Sequence, residues 1–386
     1  MVKAVRSGNS LRAVAGRFEV SPATVSLWVK RSAGRRLDRC EWTDRKAGPR
    51  RPWNRTPANL EQRVLEVRRQ LREDSVLGEF GAPAIQRALI ERERSPTPSV
   101  ASISRILVRH GAIDARRRVR RPAPPRGWYL PQAASGQLEL DSFDIIEDLK
   151  LQNGPLICVL TAISLHGSQV AAWPEPGLRA KDVLERLLAH WRSIGLPGYA
   201  QFDNDTRFQG AHQFPDTIGR VSRLCLSLGI IPVFAPPREP GFQNAIESFN
   251  GLWQAKVWQR FHYADLAALQ VQSQRYVQAH HQRTGVRREA APARQAVSDT
   301  WHLDLNQALL GTLIYLRRTD AQGSIVLLGH RWCVNREWVH RLVRCEIQLG
   351  KRRILCYALR RREPTDQPLL AEIPYHHPQK PFQGES

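Results

Sequence analysis

Leu138-Glu139-Leu140-Asp141-Ser142-Phe143 sets the architecture of this chain, because it embeds an acidic residue in a run that alternates like a β-strand. After it the sequence predicts a regular succession of elements. Strands are expected at 137–146, 156–164 and 168–173, then a helix at 180–194, a strand at 198–203, a helix at 216–228, a strand at 230–234 and a helix at 243–260. Three strands followed by alternating helices and strands predict an α/β domain with a mixed sheet.

Two further acidic segments accompany this strand. Asp203 ends a strand-like run in Gln201-Phe202-Asp203-Asn204, and Glu247 begins a helical pattern in Asn244-Ala245-Ile246-Glu247. Carboxylates are strong protein ligands for hard divalent cations, and two such ions about 3.5–4 Å apart can drive in-line phosphoryl chemistry. We therefore expect Asp141, Asp203 and Glu247 to be catalytic and to bind two Mg²⁺ ions, for which Mn²⁺ can substitute.

Each of these acids has a rival nearby. Asp144 lies three residues after Asp141 and points to the opposite face of the same strand, and we favour Asp141. The other rivals, which we do not favour, are Asp205 for Asp203 and Glu239 for Glu247.

The charge of the chain is strongly positive but unevenly distributed. Its 386 residues carry a net charge of +22, which indicates a polyanionic partner, with a membrane surface as the competing interpretation. Residues 1–136 hold 29 Lys/Arg against 12 Asp/Glu, whereas residues 137–250 hold 9 against 13. This division predicts a front half that binds phosphates and a core that gathers cations.

Two patterns that the sequence lacks bear on its localisation and on zinc binding. We find no run of about 18 apolar residues and no basic start followed by a short apolar stretch, so we expect no membrane association and a cytoplasmic, nucleoid-associated protein. The six cysteines form no Cys-x-x-Cys pair, so a structural zinc site is not expected.

Residues 1–36 predict a helix-turn-helix module that binds DNA. Val20-Ser21-Pro22 supplies a turn, an N-cap and a proline at the first helical position. An ordinary helical hairpin is the alternative. The side chains expected to contact the major groove, or to begin the helix that does, are Ser21, Thr24, Ser26 and Lys30.

Further basic and helical segments separate this module from the core. Residues 37–57 form a basic linker, in which Arg50 and Arg51 are candidate DNA contacts. Residues 58–113 predict a second helical, helix-turn-helix or winged-helix-like, DNA-binding domain. Residues 114–136 form a basic, proline-rich linker, for which a flexible tether is the alternative to DNA binding. Its candidate contacts are Arg117, Arg118, Arg120 and Arg121.

The acidic core is expected over 137–300, with trailing helices. Asn250 and Gln254 share a helix face with Glu247 and are expected to contact DNA near the cut, with plain exposure to solvent as the alternative. Short apolar runs separated by turns predict a small β-barrel over 305–374, and 375–386 form a tail.

The acidic segments together resemble the DDE catalytic core of insertion-sequence transposases and retroviral integrases, over about residues 138–260. Leu138–Asp141 resembles the first-acid strand, Phe202-Asp203-Asn204 the Asp-Asn-Gly segment, and 244–250 the segment of the third acid. Two features depart from the family. Asp205 replaces the expected glycine, and Glu247 follows Asp203 by 44 positions, which is a longer spacing than in the retroviral class.

The resemblance implies a multidomain protein with all-α helix-turn-helix modules, an RNase H-like α/β core and a C-terminal barrel. It implies that a homo-oligomer binds the ends of a mobile element, cleaves phosphodiesters and joins the 3′-hydroxyl ends to target DNA. One alternative is a catalytically inert regulator that binds specific DNA sequences. Another is an RNase H-like nuclease, against which the helical modules argue because they predict duplex recognition.

Overall fold

The computed structural model describes residues 1–44, 56–92, 97–113, 126–151, 154–210, 214–239, 241–379 and 381–382. These residues fall into two compact units, Met1–Glu61 and Gln62–Ser386. The candidate DNA contacts Arg50, Arg51, Arg117, Arg118, Arg120 and Arg121 lie outside the described residues. Within them, no helix is both long enough and apolar enough to cross a lipid bilayer.

The first unit is helical, as the front of the sequence predicts. Its helices are α1 (Val2–Arg6), α2 (Leu11–Arg17) and α3 (Pro22–Ser32), followed by a 3₁₀ turn at Leu37–Arg39. Ser21 caps α3, since its hydroxyl accepts a hydrogen bond from the backbone N–H of Thr24 at 3.1 Å. Val14, Ala15 and Val25 form a small core between α2 and α3. The expected helix, turn and helix are present, and DNA binding by them stays a prediction.

Three more helices follow, α4 (Ala58–Asp74), α5 (Ala82–Arg92) and α6 (Val100–Arg109), and all but the first turn of α4 belongs to the second unit. They enclose a core of their own, in which Val64, Ile85 and Ile103 are fully buried. Arg260 ties this bundle to the rest of the unit, because its guanidinium donates to the backbone carbonyl of Ser75 at 2.6 Å.

The predicted mixed sheet is present. Its strands are β1 (Leu140–Lys150), β2 (Leu156–Ser164), β3 (Val170–Glu175), β4 (Tyr199–Phe202) and β5 (Ile231–Phe234). β1, β2 and β3 form an antiparallel meander, and β4 and β5 pair in parallel on the other side of β1. The central strands carry apolar side chains on both faces, as buried strands require.

Helices cover both faces of this sheet. The described helices are α7 (Pro131–Ala134), α8 (Ala180–Ile194), α9 (Thr206–Gln209), α10 (Arg220–Ser227), α11 (Asn244–Trp253), α12 (Leu266–Arg283) and α13 (Gly285–Glu289). α8 and α10 pack on one face around Trp191 and Phe143. α11 and α12 pack on the other face around Trp253 and Ile146, and α11 ends in a π-helical turn at Gln254–Trp258.

The prediction of a separate C-terminal barrel is wrong in its architecture. The expected strands are present as β6 (Thr312–Arg318), β7 (Ser324–Leu327), β8 (His330–Cys333), β9 (Leu342–Gln348), β10 (Arg353–Ala358) and β11 (Leu369–Pro374). β6 pairs in parallel with β5, so that the order β11-β10-β9-β6-β5-β4-β1-β2-β3 makes one nine-stranded sheet among the described residues. β7 and β8 form a hairpin apart from it.

Candidate active site

Two of the predicted acidic segments lie side by side because β1 and β4 run parallel. Asp141 on β1 is opposite Ala200 on β4. Continuing this register by three residues brings Asp144 beside Asp203, the first residue after β4. Asp144 is therefore the acid of β1 that adjoins the acid at the end of β4.

The third acid reaches this point from α11. Ile246 and Trp253 are buried against the β1–β2 face, which fixes the helix over the sheet. Glu247 lies in the first turn of α11 and is exposed. One turn later, the side-chain amide of Asn250 donates a hydrogen bond to Asp144 Oδ2 at 2.7 Å. The beginning of α11 thus lies over the carboxylate of Asp144.

The electrostatics of Asp144 reflect this crowding of acids. Burial raises the pKa of Asp144 to about 6, and the nearby charges of Asp203 and Glu247 raise it as well, against the hydrogen bonds from Ile145 N–H and Asn250. Burial also raises the pKa of Asp203. The charges of Asp203 and Glu247 therefore add to burial in disfavouring the charged form of Asp144.

The carboxylates of Asp144, Asp203 and Glu247 are of the chemical type that binds divalent cations. Carboxylate oxygens are the ligands that Mg²⁺ prefers, and a cation would relieve the repulsion around Asp144. Asn250 Oδ1 is buried and has no hydrogen-bond partner among the described residues, which leaves one more oxygen in the same place. In the described part of the chain, no three His, Cys, Asp or Glu side chains stand close enough to hold a metal ion as they are.

Asp141, the predicted first acid, lies on the opposite face of β1. Its carboxylate is 1% exposed and forms an ion pair with Arg294, whose Nη2 is 2.5 Å from Oδ1. Arg294 Nη1 and Trp191 Nε1 donate to Oδ2 at 3.0 and 3.2 Å. The structure therefore does not bring Asp141 together with Asp203 and Glu247. The alternation of side chains along β1 is as expected, but the face covered by α11 is that of Asp144.

The two remaining rival acids are already paired with arginines. Asp205 begins α9, and Arg207 donates to its two oxygens at 2.8 and 2.6 Å. Although burial acts to raise it, the hydrogen bonds and charge of Arg207 lower the pKa of Asp205. Glu239 accepts a hydrogen bond from Arg318. Because these charges are compensated, both residues are poorer candidates for metal ligands than Asp203 and Glu247.

The expected DNA contacts on α11 divide into two cases. Asn250 is buried and donates to Asp144, so its amide faces the acids and not the solvent. Its contact with DNA stays a prediction. Gln254 is half-buried in the π-helical turn. In the first unit, Ser21 and Lys30 are exposed, whereas Thr24 and Ser26 are half-buried.

Three residues of this region were not anticipated from the sequence. Arg294 and Trp191 hold Asp141 from distant parts of the chain, and no local pattern announces either contact. Arg207 also bridges Asp205 to Glu147 at the end of β1, at 2.7 Å. The spacing Asp205-x-Arg207 was a usable signal, since a carboxylate that begins a helix commonly accepts from the first turn.

The structure is similar to parts of retroviral integration complexes. A chain of the simian T-cell lymphotropic virus intasome, in complex with PP2A regulatory subunit B56 gamma, is 15% identical, with 75% of this chain and 92% of that chain covered and a TM-score of 0.34. The HTLV-2 integrase catalytic core domain in complex with magnesium is 11% identical over 41% of this chain and 87% of its own, with a TM-score of 0.26. The catalytic core domain of BIV integrase is 17% identical over 36% of this chain and 80% of its own, with a TM-score of 0.27.

Sequence comparisons add nothing to these similarities. No protein-family model matches this chain, and no curated protein sequence does. Because every TM-score above is below 0.5, the interpretation of the site depends on its own geometry.

Proposed function

We propose that this chain is a metal-dependent polynucleotidyl transferase that cuts and joins DNA, with Asp144, Asp203 and Glu247 as its three acids. The observation that supports the proposal is that Asp203 and Glu247 lie near enough to Asp144 for their charges to act on it, where β1, β4 and α11 adjoin. Asp144 thus takes the role that the sequence alone suggested for Asp141. The finer proposal is a transposase that first cleaves at element ends and then uses the freed 3′-hydroxyl to attack target DNA.

The residues of the chain have distinct tasks in this proposal. Asp144 on β1 and Asp203 directly after β4 would hold divalent cations, and Glu247 would complete the set from the first turn of α11. Bound Mg²⁺ would supply charge to the attacking and leaving oxygens of the displacement. Asn250 orients Asp144 through its hydrogen bond of 2.7 Å. Arg207 forms an ion pair with Asp205, so that the carboxylate of Asp205 does not compete for the cation.

The rest of the chain supports a DNA substrate. The net charge of +22 favours a polyanion, and the front half carries most of the excess. We propose that α3 reads duplex DNA at the element ends and that two or more copies of the chain bridge two such ends. A nucleoid location in the cytoplasm follows from this substrate.

A cleavage assay tests the proposal directly. The full chain is incubated with end-labelled duplexes that carry the genomic flanks of its own coding region, with Mg²⁺, Mn²⁺ or EDTA. We expect cuts and joined products only with metal. Asp144→Asn, Asp203→Asn and Glu247→Gln should each abolish them, while DNA binding persists.

The matched control is Asp148→Asn, which makes the same chemical change at an exposed position of β1. Its backbone has φ of 57°, a conformation that asparagine also tolerates. This variant should cut like the wild type. Specific binding without any cutting by the wild type would instead favour the inert regulator, and cutting without strand transfer would favour a nuclease.

A further inference from the structure

A cavity of about 310 Å³ opens next to the proposed active site. It lies at the carboxyl ends of the parallel strands β4, β5 and β6, and Asn204, which directly follows Asp203, forms part of its wall. β1 and β5 are two strand spacings apart, or about 10 Å. Because Asn204 directly follows Asp203, the cavity lies within a few nucleotides of the three acids along a bound DNA strand.

Arg317 gives this cavity a fixed positive charge. Its guanidinium donates to the carbonyls of Leu316 and Ala235 at 2.9 and 3.4 Å and to Asn204 Oδ1 at 3.0 Å. It also lies over the ring of Tyr315, 4.9 Å from its centroid. These partners are neutral, and among the described residues no carboxylate forms an ion pair with Arg317. Since arginine has five N–H donors, two remain for a ligand.

Asn204 makes this arrangement rigid. Its amide nitrogen donates to the carbonyl of Ala235 at 2.7 Å, while its oxygen accepts from Arg317. Both ends of the amide are therefore occupied within the protein. The guanidinium is held in place before any ligand arrives, which reduces the entropic cost of binding an anion.

The other walls offer one polar and two apolar surfaces. Gln209 is 7% exposed, and its side-chain amide makes no hydrogen bond in the part of the chain that the structure describes. Phe214 and Val326, by contrast, are 60% and 58% exposed at the rim. An amide that lines the cavity beside an exposed aromatic ring suits a ligand with a polar edge and a flat face.

We propose that this cavity holds one nucleotide of a DNA strand that has left its duplex beside the three acids. Arg317 binds its phosphate, Gln209 binds the edge of its base, and Phe214 stacks on the face of the base. A volume near the lower end of the range for ligand pockets, about 300–1,000 Å³, admits a single nucleotide and excludes a duplex. This inference rests on the proposed function, because it takes DNA as the substrate.

The test uses DNA with the fluorescent base 2-aminopurine at successive positions near the cut, bound to the full chain in EDTA. Fluorescence of this base rises when it leaves the stack, and the readout needs neither metal nor cleavage. We expect a rise at a single position within a few nucleotides of the cut. Phe214→Ala and Gln209→Ala should each remove most of it, and Arg192→Gln, an exposed arginine of α8, should not change it.

The phosphate contact is tested by a second substitution on the DNA. Arg317→Gln should weaken binding by about tenfold or more, because a charge-assisted hydrogen bond is lost. A neutral methylphosphonate at the matching position of the DNA should weaken binding by the wild type to the same extent. It should leave binding by the Arg317→Gln variant unchanged. If Arg317→Gln does not fold, the exposed Phe214 variant and the methylphosphonate still decide the outcome.

The two proposals fail in different ways. Two outcomes would overturn the cavity proposal alone. One is a wild type that cuts DNA but shows no rise in fluorescence at any position. The other is a loss of DNA binding that is additive between Arg317→Gln and the methylphosphonate. A localised rise that depends on Phe214 and Gln209 in a chain that never cuts would support the cavity while refuting the proposed catalysis.

Discussion

Arg294 and Asp141 form a buried ion pair across 153 positions of the chain, and this pair compensates the charge of an acid at the second position of β1. Arg294 Nη1 also donates to the carbonyl of Gly195, the residue that ends α8. A Cβ at residue 195 would lie 2.7 Å from Arg294 Cβ, so only glycine permits this close approach. The pair fastens the segment after α13 to the first strand of the sheet.

Breaking this pair should destabilise the fold rather than act on catalysis alone. Asp141→Asn leaves the buried charge of Arg294 without its partner and should lower the free energy of unfolding by about 3–5 kcal/mol, measured by urea denaturation. The double variant Asp141→Asn/Arg294→Gln should recover part of this loss. Arg179→Gln, which breaks an exposed pair with Asp182, should change little. An Asp141→Asn protein that is fully stable but cannot cut DNA would return Asp141 to the active site.

Asp144→Asn should have the opposite effect on stability. Removing the largely buried carboxylate of Asp144, which the charges of Asp203 and Glu247 repel, should raise the free energy of unfolding in EDTA by about 1–3 kcal/mol. Added Mg²⁺ should stabilise the wild type through binding to the folded state, and this gain should vanish in the variant. Thermal unfolding with and without Mg²⁺ measures both effects, with Asp148→Asn as the control. Equal Mg²⁺ stabilisation of wild type and Asp144→Asn would exclude Asp144 as a ligand.

Arg207 should govern whether Asp205 competes for the cation. Arg207→Ala frees a carboxylate two residues from Asp203, so we expect a changed Mg²⁺ concentration dependence of both thermal stability and cleavage. Arg207→Ala/Asp205→Asn should restore the wild-type dependence, because the surplus charge is gone. The same defect in the single and double variants would show that Arg207 acts through another contact, such as Glu147.

The choice between Asp141 and Asp144 shows which features of the candidate site the sequence could predict and which it could not. Alternation along β1 correctly put the two acids on opposite faces, and the Asp203 and Glu247 segments fold as a strand end and a helix start. Which face α11 covers depends on contacts between segments about 100 residues apart. Arg294, which neutralises Asp141, is more distant still, so no local pattern could favour Asp144.

The prediction of a separate C-terminal barrel is wrong for a related reason. The apolar runs at β6, β7 and β10, separated by turns, are typical of a small barrel, and the structure confirms them as strands. Whether such strands close on themselves or extend another sheet is decided by edge pairing. Here β5 offers an open edge, and Phe234 pairs with Tyr315 across it. The composition of the strands does not reveal which edge they meet.

The prediction for α3 concerns DNA affinity. Lys30→Ala should weaken binding to element-end DNA and reduce the dependence of affinity on salt by about one ion, if Lys30 neutralises a phosphate. Fluorescence anisotropy over a series of salt concentrations measures this slope. Ser21→Ala should also weaken binding, by loosening the cap of α3, but should leave the slope unchanged. An unchanged slope for Lys30→Ala would remove Lys30 from the interface.

Acid should destabilise the protein through His190. Burial lowers the pKa of His190 to about 4, with Arg294 lowering it and Asp141 raising it, and the ring packs edge-on against Trp173 at 5.3 Å. Since the unfolded chain binds the proton near pH 6.5 and the folded chain does not, stability is lost as the pH falls from about 6.5 towards 4.

His190 alone should account for about 2 kcal/mol of this loss between pH 6.5 and 5. Urea denaturation at several pH values should show a shallower decline for His190→Gln than for the wild type. His302→Gln, at an exposed position, should follow the wild type. Because burial also lowers the pKa of His280 to about 4, some decline should persist in His190→Gln, and only the difference between the curves measures His190. Parallel curves for wild type and His190→Gln would mean that the buried ring accepts its proton without a penalty.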